Sequence, residues 1–259
     1  MLNLDQIKSY FPESLHGFER FMVREFLQYK ILEVLYDSPV ANKMAFIGGT
    51  ALRMIYENNR FSEDLDFDNF DLSKEEFDNL TNRIKKKIEL EGYQIETNNI
   101  YKEAFHCIIR FPGILLNLGL SGYREEKIMI RLDTESQHFD FKPQWKLLNK
   151  FDVFTQIAVT PPDILLSQKL YAIINRKRNK GRDFYDVVFL LGKSIKPNFN
   201  YLCLKLNISN RNELKQRLKE KLSEIDFQEM ANDVRPFLFN TNDVKKVISF
   251  KEYILQIEF

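Results

Sequence analysis

Between residues 15 and 36, Phe18, Phe21, Met22, Phe26, Leu27, Ile31, Leu32 and Leu35 recur three and four apart, which predicts an amphipathic helix. Residues 44–49, MAFIGG, form a short apolar run that ends in two glycines and predicts a buried strand. TALRMIYE then has helical spacing, NNRFSE is a polar break, and DLDFDNF alternates as a second strand. Asp71-Leu72-Ser73 supplies a cap for a charged helix over 74–91, with Glu76 in its first turn. Strand patterns follow at 93–99, 104–111 and 127–133, and the apolar, glycine-bearing FPGILLNLGLSG between the last two predicts another strand or hairpin.

The pattern changes after Pro161-Pro162. DILLSQKLYAIINRK, GRDFYDVVFLLGK, NELKQRLKEKLSEI and NDVKKVISFKEYILQI all carry helical periodicity, and strand signals nearly vanish. The outline is an α/β (α+β) chain: a mixed-sheet lobe with an N-terminal helix over 1–150, then a helical C-terminal lobe over 151–259, with the break inside 141–160.

Composition narrows the class. The 259 residues are 44% hydrophobic and 29% charged, with 23 Phe and 11 Tyr, which excludes disorder and permits a sizeable core without disulfides. The formal net charge of +1 excludes a global field for nucleic acid, so any such contact must come from a local patch. Cys107 and Cys203 fit neither a disulfide framework nor a zinc pattern, and no run reaches the ~18 apolar residues of a membrane span. With no signal-peptide pattern at the start, a cytoplasmic address with no membrane association is the expectation.

The chemistry concentrates in two stretches. Phe46-Ile47-Gly48-Gly49-Thr50-Ala51-Leu52-Arg53 is a strand that ends in glycines at a helix start, where free amides and the helix dipole favour phosphate. In Arg60-Phe61-Ser62-Glu63-Asp64-Leu65-Asp66-Phe67-Asp68, strand alternation points the three aspartates one way and Leu65 and Phe67 into the core. Adjacent carboxylates repel unless a cation lies between them, and hard oxygen donors beside phosphate suit magnesium. KIMIRLD ends in Asp133, which completes a metal site and serves as base if its strand neighbours 64–68. Together these are the parts of metal-assisted phosphoryl or nucleotidyl transfer.

The second stretch runs from Leu166 to Asp186. Lys169 stands among apolar neighbours, where a lysine needs a carboxylate or a ligand phosphate. Arg176 lies seven residues on, along the same helical face, and Asp183 and Asp186 share a face three apart. Arg176, Lys177, Arg178, Lys180 and Arg182 are a cationic run suited to a nucleic acid, or equally a solvated helix end.

The run IGGTALR..Y, then RFSEDLDF, KLYA and GRDFYD, in that order, resembles the AbiEii-type nucleotidyltransferase toxins, within the DNA polymerase β-like nucleotidyltransferase superfamily. The resemblance spans roughly residues 44–192. It implies a polymerase β-like mixed-sheet lobe and a Mg2+-dependent enzyme that transfers a nucleotide from a nucleoside triphosphate to an acceptor, with the 3′ end of tRNA expected. A cognate antitoxin, within a toxin–antitoxin or abortive-infection system, is implied as partner. Carried onto this sequence, the family pattern makes Asp64 and Asp66 the metal pair and Asp133 the third carboxylate. Lys169 becomes the lysine that contacts phosphate, with Asp183 and Asp186 at the last motif. Gly48, Gly49, Thr50, Arg53, Ser62 and Lys169 are the implied nucleotide-binding residues. Counted from Gly48-Gly49, fourteen residues, 50–63, precede the aspartates, slightly more than the superfamily's spacing, whereas reading Gly49-Thr50 as the small-residue pair leaves thirteen, 51–63, which fits.

Two other readings use the same residues: a nucleotidyltransferase that modifies a protein side chain or a small molecule such as an antibiotic, and a non-catalytic binding module of the same fold. His16, His106 and His138 lack ligand spacing and read as core or surface residues. Cys107 reads as packed, Trp145 as a staple between lobes, and Lys85, Lys86 and Lys87 as a wet helix face.

Overall fold

The computed structural model describes residues 2–259. In chain order its first part comprises α1 (Leu4–Lys8), α2 (Glu19–Tyr36), β1 (Met44–Ile47), α3 (Gly48–Tyr56), β2 (Leu65–Asn69), α4 (Lys74–Leu90), β3 (Glu96–Tyr101), β4 (Phe105–Pro112), α5 (Ile114–Asn117), β5 (Lys127–Glu135), β6 (Gln144–Lys150) and β7 (Val153–Val159). Helices follow: α6 (Pro162–Asn175), α7 (Gly181–Gly192), α8 (Phe199–Leu206), α9 (Arg211–Leu222), α10 (Phe227–Val234), α11 (Lys245–Ile248) and α12 (Phe250–Gln256). The fold is therefore mixed α/β, with a seven-stranded mixed sheet among the described residues and a mostly helical C-terminal region.

The sheet runs β3-β4-β5-β2-β1-β7-β6. Its centre is antiparallel between β1 and β2 and parallel between β2 and β5, with Leu65 beside Leu132 and Asp66 beside Asp133. Leu65, Phe67, Ile128, Ile130 and Leu132 turn to the buried face, packed by helix α2, whose residues from Met22 to Tyr36 are mostly enclosed. Helix α4 starts on a reciprocal cap: the Ser73 hydroxyl accepts from the Glu76 amide, and the Glu76 carboxylate accepts from the Ser73 amide.

By contact the chain divides into two compact units. The sheet unit comprises the chain up to Tyr56 with Phe61–His138 and Lys142–Val159; the helical unit comprises Glu57–Arg60, Phe139–Phe141 and Thr160–Phe259. In the helical unit Pro162 occupies the first turn of α6, where its missing N–H costs nothing. Helix α7 packs so closely on α10 that a Cβ on Gly181 would lie 1.9 Å from the Met230 carbonyl oxygen.

Several elements differ from the sequence pattern. Residues 114–117 form a helical turn, because Gly113 enters it at φ +71°. Strands β6 and β7 carry no clear alternation: Gln144–Leu147 lie exposed on a sheet edge, and Ile157–Val159 are buried on both faces. The C-terminal helical run breaks at Ser249 into α11 and α12. Trp145, expected as a staple between lobes, stands 51% exposed on edge strand β6, its ring edge-on to Tyr36 at 6.2 Å. No helix among the described residues is long and apolar enough to cross a membrane.

Candidate active site

Strand β1 leaves the sheet at Gly48, whose φ of +77° admits glycine without strain. The position also lacks room, since a Cβ on Gly48 would lie 2.5 Å from Asp66 Oδ2. The first glycine therefore clears space for a carboxylate. Gly49 and Thr50 are buried in the first turn of α3, and the Thr50 hydroxyl donates to the Asp64 carbonyl. Thr50 thus ties the glycine turn to the start of β2, and what this turn offers a ligand is backbone amide. Arg53 is held by buried Glu25, with Nε 2.9 Å from Oε2, and Lys150 meets the same carboxylate at 2.7 Å. Ser62 is half-buried, its carbonyl accepting from Gln28 Nε2 at 3.3 Å.

The carboxylates come together through strand register. Asp66 on β2 stands directly beside Asp133 on β5, and both lie on the face away from Leu65, Phe67 and Leu132. Asp64 precedes Asp66 by one pleat, with 35% of its side chain exposed against 17% for Asp133. Asp68 does not join them, being 1% exposed and accepting from the Gln137 amide at 2.9 Å. Two residues missed in the sequence complete the face. His106, opposite Asp133 on β4, places Nδ1 2.8 Å from Asp133 Oδ1. Arg131 places Nε 2.7 Å from Asp133 Oδ2 and a terminal nitrogen 3.6 Å from Asp64 Oδ2. Alternation along KIMIRLD puts Arg131 beside Asp133, a signal that could have been read; the His106 pairing needed the β4–β5 register.

Hard oxygen donors on Asp64, Asp66 and Asp133, partly open to solvent and with Asp64 and Asp133 already bridged by the Arg131 guanidinium, fit a divalent cation in chemistry. Among the described residues no three His, Cys, Asp or Glu side chains surround a common point.

The second sequence constellation folds into a buried ion network of the helical unit. Lys169 on α6 reaches Asp183 Oδ1 and Asp186 Oδ2 on α7, each at 2.9 Å. Asp186, with no exposed side-chain surface, also accepts from Arg60 at 2.7 and 2.6 Å and from Asn58 at 2.8 Å. Arg176, just past the end of α6, pairs with the other oxygen of Asp183. Burial alone would raise the Asp186 carboxyl, but Arg60 and Lys169 outweigh it and hold the carboxyl below its ordinary range. Burial likewise works against the charge on Lys169, yet Asp183 and Asp186 raise its pKa. Asp186, expected among the catalytic residues, has no exposed side-chain surface and is paired within this network. Of the cationic run, Lys177, Arg178 and Lys180 are exposed, while the Arg182 guanidinium lies over the Phe237 ring at 4.5 Å. Lys221 on α9 donates to the Arg176 carbonyl at 3.1 Å and adds a cation beside the run.

A family model described as "Nucleotidyl transferase AbiEii toxin, Type IV TA system" matches residues 30–253. The chain belongs to the AbiEii nucleotidyl transferase toxin family. That membership makes it a nucleotidyltransferase-family enzyme of a toxin–antitoxin system, with a nucleoside triphosphate as substrate and a cognate antitoxin implied. Two solved structures share the AbiEii chain's fold. JHP933 from Helicobacter pylori is 19% identical with a TM-score of 0.55, over 92% of this chain and 91% of that one. A protein described as a candidate nucleotidyltransferase from H. pylori is 20% identical with a TM-score of 0.55, over 91% of this chain and 95% of that one. No curated protein matches the sequence. In this AbiEii member the residues expected at the family motifs thus divide between the units, the glycine turn and aspartates in the sheet unit, the lysine and last aspartates in the helical one.

Proposed function

We propose that the chain transfers a nucleotide from a nucleoside triphosphate to the 3′ end of tRNA in a Mg2+-dependent reaction. One observation carries the reading: Asp66 and Asp133 stand side by side on one sheet face, with Asp64 one pleat away and Gly48 clearing room for Asp66. Asp64, Asp66 and Asp133 would hold Mg2+, which supplies charge neutralisation on the triphosphate and acidifies a bound hydroxyl. The amides of Gly48 and Gly49 at the start of α3 receive triphosphate oxygens, favoured by the helix dipole. Asp133 takes the proton from the acceptor hydroxyl, whose oxygen bonds to the α-phosphorus as the α–β bridging P–O bond breaks and pyrophosphate leaves. His106, on one of its oxygens, aims that carboxylate. Exposed Lys177, Arg178 and Lys180 offer a cationic surface to the tRNA backbone.

A protein or small-molecule acceptor is the second reading, favoured by the net charge of only +1. Incubation with Mg2+, each of four labelled nucleoside triphosphates in turn, and total tRNA separates the two on a denaturing gel. Label on tRNA from wild type, absent from the Asp64→Ala/Asp66→Ala double variant, supports the first. Label that appears only in protein or small molecules of a cell extract overturns it in favour of the second.

A further inference from the structure

The carboxylate face carries a base as well as acids. Arg131 precedes Asp133 by one pleat on β5, and its guanidinium spans from Asp133 Oδ2 at 2.7 Å to Asp64 Oδ2 at 3.6 Å. Two carboxylates that would repel each other are bridged by one cation. The bridge is not part of the core: the Arg131 side chain is 47% exposed, so it can swing into solvent without opening a cavity. Asp133 keeps a partner when it does, because its other oxygen is 2.8 Å from His106 Nδ1.

We propose that Arg131 is the resident counter-cation of this site, holding Asp64 and Asp133 in the metal-free protein and leaving them when a divalent cation binds. The inference rests on Asp64, Asp66 and Asp133 being the metal ligands. A guanidinium and a divalent ion cannot share the same carboxylate oxygens, since like charges a few ångströms apart repel strongly in a partly desolvated site. Metal loading is then a displacement, and the affinity for the bare ion is lowered by the cost of releasing Arg131. Arg131 is a positioning residue in this account: it acts on the reaction only through the two aspartates.

The test titrates Mn2+ alone into the full chain and follows free ion by electron paramagnetic resonance. Arg131→Gln is expected to bind Mn2+ about ten-fold more tightly than wild type, with Arg131→Lys between them. Lys127 supplies the control. It lies on the same strand and the same face and pairs with Glu96 at 2.9 Å. Lys127→Gln therefore makes the same change in net charge away from the aspartates, and it should leave Mn2+ affinity within about two-fold. An Arg131→Gln protein, folded by its thermal melt, that binds Mn2+ no more tightly than Lys127→Gln overturns the proposal, as does weaker binding. If the Asp64→Ala/Asp66→Ala protein binds Mn2+ like wild type, the metal-ligand reading itself has failed and the proposal falls with it.

Discussion

On the β2–β5 face of the sheet unit, Asp64 and Asp133 keep 35% and 17% of their side chains open and share a half-exposed guanidinium. In the helical unit, Asp186 has no exposed side chain and meets Arg60, Asn58 and Lys169 at 2.6–2.9 Å. Two carboxylates face one guanidinium in the first region; Asp183 and Asp186 face Lys169, Arg60 and Arg176 in the second. Carboxylates from one family pattern thus stand in opposite electrostatic settings. A face left short of positive charge and open to solvent is suited to receive a cation, whereas a buried cluster whose carboxylates are each paired by cations is suited to hold helices together.

The sharpest way to break this contrast is to neutralise one aspartate in each region. Asp66→Asn should lower nucleotide transfer by about 10³-fold, with a thermal melt close to wild type. Transfer at the wild-type rate would remove Asp66 from the metal site. Asp186→Asn should act in the reverse sense, costing about 3–5 kcal/mol by leaving Arg60 and Lys169 underpaired, as read from denaturant unfolding. A wild-type unfolding midpoint would show the network to be dispensable.

Gly48→Ala tests the sheet region through its backbone. The left-handed φ costs about 1–2 kcal/mol for alanine, and the new Cβ must displace the Asp66 carboxylate. Both stability and transfer should fall, and unchanged transfer would mean that the Asp66 position is not critical. The smallest effect expected is in pH. The Asp186 carboxyl is held below its unfolded value near 4. Its contribution is therefore complete above that value and lost as pH falls through the lower folded one. Lys169, raised above its ordinary range, contributes below the unfolded lysine value near 10.4 and loses its contribution as pH rises through the folded one. Melting temperatures should stay level between those limits, fall at both ends, and fall less at the acid end in Asp186→Asn.

Much of the site was legible because the aspartate strand is a local pattern. Leu65 and Phe67 need a core, alternation turns Asp66 outward, and a glycine pair before a helix marks a tight turn with free amides. Arg60 stayed hidden inside the polar break NNRFSE, since only the tertiary contact with Asp186 gives a buried arginine its reason to be there. Thr50 and Arg53, expected at the nucleotide, are engaged by the Asp64 carbonyl and by Glu25, partners 14 and 28 residues away.

By itself, the sequence determined the helix and strand character of most of the chain, the placement of the aspartates on one strand face and the family pattern. Those follow from interactions within a few residues: side-chain periodicity, caps and the backbone freedom of glycine. Only the tertiary structure decided that β5 lies beside β2 in the register that sets Asp133 against Asp66. It also brought Arg131 and His106 onto that face and closed Lys169, Asp183 and Asp186 into an ion network. Strand register and the burial of charge depend on contacts between segments far apart in the chain, and a single strand's alternation carries no information about its neighbour.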